Sequence, residues 1–170
     1  MIIRQEKPED VIDISALNEL AFGQPQEAKI IDKLRNNCGN LLSLVAIENG
    51  KIVGHILFSP AEIEGPRGVI KGMGLAPMAV LPEMQRQGIG TQLVKKGIEE
   101  LRRFQCPFII VLGHPEYYPR FGFERALLYG VKSQWEGIPD DVFMILWLDT
   151  SKAGQVSGLA KYREEFNEAV

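Results

Sequence analysis

The sequence predicts an α/β protein of the α+β mixed-sheet kind, with helices on both faces, and three observations predict it. Two strand-like runs, Leu41 to Glu48 and Lys51 to Ser59, flank Asn49-Gly50, the strongest short hairpin signal. Two segments with apolar residues at helical spacing come before them. Farther on, an extended segment leads into a long amphipathic stretch and then into an unbroken apolar run. Strand, helix and buried strand in that order make a right-handed parallel crossover.

Element by element, Met1 to Arg4 reads as a short strand. Pro8-Glu9-Asp10 starts a helix, because proline fits a first turn and the acids suit its dipole. Its inner positions are Val11, Ile14, Leu17 and either Leu20 or Ala21, and Gly23 and Pro25 end it. A second helix is expected from Glu27 to Asn37. After the hairpin, Gly65-Pro66-Arg67-Gly68 makes a turn into the extended segment Val69 to Leu81, with a bulge or break expected near Pro77. The helix from Gly88 to about Phe104 buries Ile89, Leu93, Val94, Gly97, Ile98 and Leu101. Phe108 to Leu112 is the buried strand. A short helix or turn at Glu116 to Phe121, a strand near Arg125 to Leu128 and a last strand at Val142 to Leu148 follow. Residues 1–150 read as a single domain. Residues 151–170 read as a polar tail of the same domain, weakly helical from Tyr162 to Val170.

Composition narrows the function classes. A chain of 170 residues, 45% hydrophobic and 24% charged, suits one folded domain and argues against disorder. A net charge of −3 disfavours a general nucleic-acid binder. No uncharged apolar stretch reaches membrane-spanning length. The opening MIIRQEKPED lacks the apolar core of a signal peptide. Cys38 and Cys106 are far apart and show no metal-ligand spacing, and the two histidines are also separated. A cytoplasmic protein without a metal, a membrane partner or a nucleic-acid partner is therefore expected.

The stretch Val80-Leu81-Pro82-Glu83-Met84-Gln85-Arg86-Gln87-Gly88-Ile89-Gly90-Thr91 carries the functional signal. An apolar strand ends in a proline turn, a loop with two spaced glycines follows, and a helix begins. Free backbone N–H groups then converge at the positive end of a helix dipole, a site for phosphate or diphosphate. A P-loop would need a lysine where Gly90 stands before Thr91. A dinucleotide fingerprint would need a small residue where Leu93 stands.

Val-x-Pro followed by Gln-x-x-Gly-x-Gly resembles the acyl-CoA diphosphate loop of the GNAT superfamily of N-acetyltransferases. Tyr118-Pro119-Arg120-Phe121-Gly122-Phe123 likewise resembles that superfamily's Tyr-x-x-x-Gly-Phe segment. The resemblance follows the element order from Ile2 to Leu148, and its specific motifs occupy Met78 to Thr91 and His114 to Phe123. It implies a GNAT-like acyl-CoA N-acyltransferase fold: a mostly antiparallel sheet with one splayed parallel strand pair. It also implies acetyl-CoA as co-substrate. The diphosphate would take main-chain N–H groups of Gln85, Arg86, Gln87, Gly88, Ile89 and Gly90, with the Thr91 hydroxyl adding a contact. The pantetheine arm would pair with Met78 and Val80 as a partial strand.

The implied reaction is direct attack of a neutral primary amine, on a small molecule or peptide, at the thioester carbonyl. An N–H near Met78 or Ala79 would stabilise the developing oxyanion. Tyr118 matches the acid position, four residues before Gly122, and a phenol remains protonated at neutral pH. Many members carry a glutamate on the strand before Val-x-Pro, but Gly74 to Ala79 contains no acid. Candidate bases are His114 and Glu116, beside the tyrosine segment, with His55, Glu62 and Glu64 as further possibilities and a water chain as another. That missing glutamate keeps open a non-catalytic acyl-CoA-binding regulatory module. The acceptor pocket is expected from loops at Phe22 to Glu27 and Trp135 to Asp141, and the strand Val142 to Leu148 is a candidate homodimer surface.

Overall fold

In a computed structural model of the chain, residues 1–169 are described. β1 (Ile2–Gln5) pairs antiparallel with β2 (Leu42–Glu48), and β2 pairs antiparallel with β3 (Lys51–Gly65). The Asn49-Gly50 turn joins β2 to β3 with φ of 52° and 74°, the doubly positive geometry that a two-residue hairpin asks for. β4 (Gly68–Val80) follows, and the sheet, whose order begins β1-β2-β3-β4, is mostly antiparallel. Packing divides the chain into two units. The first comprises Met1–Phe58, Ala76–Glu99 and the residues from Glu164; the second comprises Ser59–Leu75 and Glu100–Arg163.

In the first unit, α1 (Val11–Phe22) and α3 (Ile89–Arg103) cover opposite faces of β3. Side chains alternate along a strand. A Cβ on Gly54 would stand 2.9 Å from Ile89, and one on Gly97 would stand 2.3 Å from the Phe58 ring, so residues 54 and 58 face α3. His55 points the other way and meets Asn18 of α1. Ile14 and Leu17 are buried as expected, whereas Leu20 is exposed, which resolves the choice in favour of Ala21's side of the helix. α2 (Gln26–Asn37) packs on α1 and buries Ala28, Ile31 and Leu34.

A chain of polar groups crosses this apolar unit. Asn18 donates to His55 Nδ1 at 3.3 Å, and His55 Nε2 meets Ser43 Oγ at 2.9 Å. Ser43 Oγ donates to Glu6, whose carboxylate is held by Arg35 at 2.8 and 3.1 Å. One arrangement of protons satisfies every link: a neutral imidazole with its hydrogen on Nε2. His55 is therefore a bonded core residue, and it leaves the list of candidate bases.

The second unit contains β5 (Phe108–Leu112), β6 (Glu124–Arg125), β7 (Val131–Ser133), β8 (Phe143–Trp147) and β9 (Gly158–Lys161). β5 runs parallel to β4 over Met73–Leu75 against Ile109–Val111. A bulge or break was expected near Pro77, yet β4 continues unbroken to Val80. What ends is the pairing with β5, two residues before a proline that has no N–H for a ladder. β8 lies between β5 and β6. The strand expected at Arg125 to Leu128 is confined to Glu124–Arg125 and passes into a 3-10 turn at Ala126–Tyr129.

The polar tail departs most from expectation. Val142 to Leu148 is not the last strand, because β9 follows and pairs antiparallel with Glu62–Glu64 of β3 and parallel with β7. β3 runs past Ser59 to Gly65, and β9 pairs near its far end. Glu62 and Glu64 consequently lie on a strand pair, with Glu64 bound to Lys161 at 2.7 Å, an ion-pairing rather than a basic role. Tyr162 lies outside any helix and is buried, and a 3-10 helix occupies Glu164–Ala169. The expected helix end at Val170 lies outside the described residues. Among the described residues no helix is long and apolar enough to cross a membrane, and no group of three potential ligands could hold a metal.

Candidate active site

After β4, the Leu81 N–H donates to Val53 O at 2.9 Å and anchors the strand end to β3. Pro82–Met84 then form one 3-10 turn. The Gln85 N–H closes that turn onto Pro82 O at a long 3.4 Å, and main-chain bonding resumes with Gln92 donating to Gly88 at 3.1 Å. Among the described residues, the N–H groups of residues 86–90 have no recorded acceptor. Arg86 and Gly88 have φ of 63° and 86°, and Gln87 between them does not share the positive sign. Such alternation turns successive N–H groups toward one side, the concavity that binds anions. The dipole of α3 adds its positive end. No protein atom lies within 4 Å of where a Cβ on Gly88 would stand, so the space beside it is open.

Side chains divide the work in this loop. Ile89 is buried against Gly54, leaving only its main chain for a ligand. Gln85 Nε2 donates to Val80 O at 3.2 Å and Gln87 Nε2 to Glu83 O at 3.4 Å, so both fix the turn. The Val80 carbonyl is thus already engaged. Arg86 is exposed and Thr91 half-buried in the first turn of α3. Met78 and Ala79 lie on β4, with Ala79 buried.

The second cluster follows β5. His114, Glu116 and Tyr118 lie in one turn, where the Tyr117 and Tyr118 N–H groups donate to His114 O at 3.1 and 3.4 Å. The side chains of His114 and Glu116 are exposed, whereas Tyr118 is 6% exposed. Tyr118 packs edge-on against Phe123 at 5.6 Å and Tyr117 at 5.0 Å. Burial, with the neighbouring Tyr117 adding to it, pushes the Tyr118 phenol above its ordinary range, so it carries its proton throughout neutral pH. Tyr117 sits beneath Arg120, 4.8 Å from its ring, in a packing role. Cys106 donates to Phe108 O at 3.2 Å, and burial raises its thiol, the opposite of a nucleophile's setting.

A family model for the acetyltransferase (GNAT) domain matches residues 2–126. The uncharacterized N-acetyltransferase YhbS of Escherichia coli is 35% identical over 168 residues, which is 98% of this chain and 99% of YhbS. The chain belongs to the GNAT acetyltransferase family. The crystal structure of the E. coli GNAT protein YhbS in complex with CoA superposes with a TM-score of 0.91 over 98% of this chain and 91% of that one. A GNAT acetyltransferase from Brucella melitensis in complex with acetyl-CoA is 33% identical, with a TM-score of 0.80 over 97% of both chains. Acetyl-CoA is the co-substrate that the GNAT family uses, and the expected GNAT sheet is the one observed.

Two features of this GNAT chain escape a reading of the sequence. A cavity of about 350 Å³ is lined by Leu127, Val131, Lys132, Trp135, Pro139 and Phe143. Its Trp135 wall falls in the segment expected to shape an acceptor pocket. The other is Tyr162, which stacks on Trp135 at 5.6 Å and sends its hydroxyl to the carbonyls of Leu75 and Ile110 at 3.0 and 3.3 Å. Only its position beyond the apolar strand marks it in the sequence.

Proposed function

We propose that this chain transfers the acetyl group of acetyl-CoA to a primary amine on a small molecule or peptide. The N–H groups of residues 86–90, without acceptors at the start of α3, are the observation that carries the reading. They would hold the diphosphate, with Thr91 and Arg86 at its edge. Gln85 and Gln87 would shape the loop through their side-chain bonds. The pantetheine arm would pair with Met78 and with the Val80 N–H, since the Val80 carbonyl is taken by Gln85.

In the reaction, the amine nitrogen attacks the thioester carbonyl and a C–N bond forms. The oxygen becomes negative and is stabilised by a β4 N–H at Met78 or Ala79. The C–S bond then breaks, and Tyr118 gives its phenolic proton to the departing sulfur. Burial keeps the phenol protonated at neutral pH, so the proton is present to be given. The amine's extra proton passes to His114, to Glu116 or to water. Two free cysteines suit a cytoplasmic enzyme, and a homodimer is part of the proposal.

Calorimetric titration with CoA tests the loop. Gly88→Asp places a carboxylate against the diphosphate and a Cβ on a backbone of φ 86°. Binding should be lost; unchanged affinity would refute the loop assignment. Tight binding without turnover on a broad amine panel would favour the non-catalytic acyl-CoA-binding module, which the acid-free stretch from Gly74 to Ala79 keeps in play.

A further inference from the structure

β7 has one bonded edge and one open edge. The Gly158 N–H donates to Gly130 O at 3.0 Å, and the Gln134 N–H donates to Ala160 O at 3.1 Å. In a parallel ladder alternate residues of a strand face the partner, so residues 130, 132 and 134 bond to β9. The N–H and C=O groups of Val131 and Ser133 therefore point away from β9. Among the described residues, β9 alone pairs with β7, and no other partner is recorded for those main-chain groups. The cavity of about 350 Å³ lies along this open edge. Val131, Lys132 and Ser133 all line it. Successive side chains of a strand point to opposite faces, so a hollow touching three residues in a row sits at the edge. Trp135, Ile138 and Phe143 give it apolar walls. Val131 is buried and Ser133 half-buried, so the open groups are sheltered and costly to leave unbonded. Every one of these residues lies beyond residue 126, where the match to the family model ends.

We propose that this cavity is a peptide-binding site: an extended segment of a partner polypeptide adds a strand to the open edge of β7 and sets a bulky apolar side chain against Trp135, Ile138 and Phe143. Bonds to the main chain of Val131 and Ser133 supply affinity, and the apolar walls supply selectivity. The volume is within the range of ligand pockets and suits one large side chain with the main chain that carries it. An open strand edge is a general template for another strand. Two features favour a single segment over the sheet edge of a second copy: β7 is only three residues long, and its edge opens into a walled hollow. A wholly apolar small molecule would fill the walls and leave the sheltered N–H and C=O groups unbonded.

The probes are blocked pentapeptides, acetyl-Thr-Thr-X-Thr-Thr-amide with X leucine, phenylalanine or tryptophan, titrated by calorimetry. At least one should bind wild type with a Kd below about 1 mM, and no binding by any of them overturns the proposal. Ser133→Pro deletes an open-edge N–H and no bond to β9, a change that edge strands tolerate. Affinity should fall about ten-fold or more, whereas Ser133→Ala should bind as wild type does. The alanine variant is the control because it also loses the Oγ that accepts from the Trp135 N–H at 3.1 Å. Equal binding by the two variants overturns the proposal. Should the proline variant not fold, N-methylated peptides on wild type decide. One form is methylated at X, the other at both residues flanking X. Alternate peptide residues face β7, so one form should bind and the other should not. The same affinity in both forms would show an apolar pocket without strand pairing, and that overturns the proposal.

Discussion

Acid should destabilise this protein through His55, and the size of the effect follows from its surroundings. The imidazole is fully enclosed. Burial lowers its pKa from 6.5 to about 4, with the Arg35 charge acting in the same direction and the Glu6 carboxylate opposing it. In the unfolded chain the ring titrates near its ordinary value of about 6.5. Between those two values the unfolded state binds a proton that the folded state refuses. Stability is therefore intact above pH about 6.5 and falls as pH drops toward about 4, by at most ~1.4 kcal/mol per unit. From pH 7.5 to 4.5 the loss from this residue is about 2–3 kcal/mol, a sizeable share of a domain's stability. Urea unfolding at pH 7.5, 6 and 4.5 measures it. His55→Gln supplies the control, because an amide can bond in place of the ring yet does not titrate. The variant should start less stable and lose about 2–3 kcal/mol less than wild type across the range. Equal slopes in the two proteins would refute the reasoning, since carboxylates such as Glu6 contribute to both.

Other perturbations test the site and the packing. Tyr118→Phe should lower kcat about a hundred-fold or more in a thiol-release assay, with CoA affinity by calorimetry unchanged; an unaltered rate removes the phenol from the mechanism. Between the candidate bases, whichever of His114→Gln and Glu116→Gln flattens the acid limb of the kcat/KM profile identifies the group, and no change in either points to water. Gly97→Ala should cost about 1–2 kcal/mol and lower Tm by about 4 °C, because its Cβ would meet the Phe58 ring at 2.3 Å; a Tm at or above wild type would show that the helix shifts freely.

Local chemistry made the central elements legible. Asn49-Gly50 announced its hairpin because few other dipeptides accept positive φ twice, and the stripe from Ile89 to Leu101 announced α3 because one face of it had to be buried. The turn and loop at residues 82–91 were readable for the same reason: local geometry favours Pro82 at the start and glycine at residue 88. Pairing between distant segments leaves no such mark. β9 is four residues long with only Ala160 deeply buried, and its partners on β3 lie roughly a hundred positions earlier, so no periodicity betrays it. Tyr162 was hidden more thoroughly, since its role is defined by carbonyls 87 and 52 residues away. His55 showed the middle case: an apolar strand context announced burial, while the partners that make the burial tolerable came from three other elements.

Those partners also settle how β2 meets β3. β2 is buried along Leu42 to Ala46, on both of its faces. A slip by two residues would keep every apolar side chain on its present side, so greasiness alone cannot distinguish the native alignment from its neighbours. Ser43 and His55 can. Displaced by one repeat, the serine would lose the imidazole, and a ring nitrogen would be stranded in hydrocarbon. The relay from Arg35 to Asn18 thus acts as a key cut for a single lock position, admitting one strand alignment and penalising each of the others.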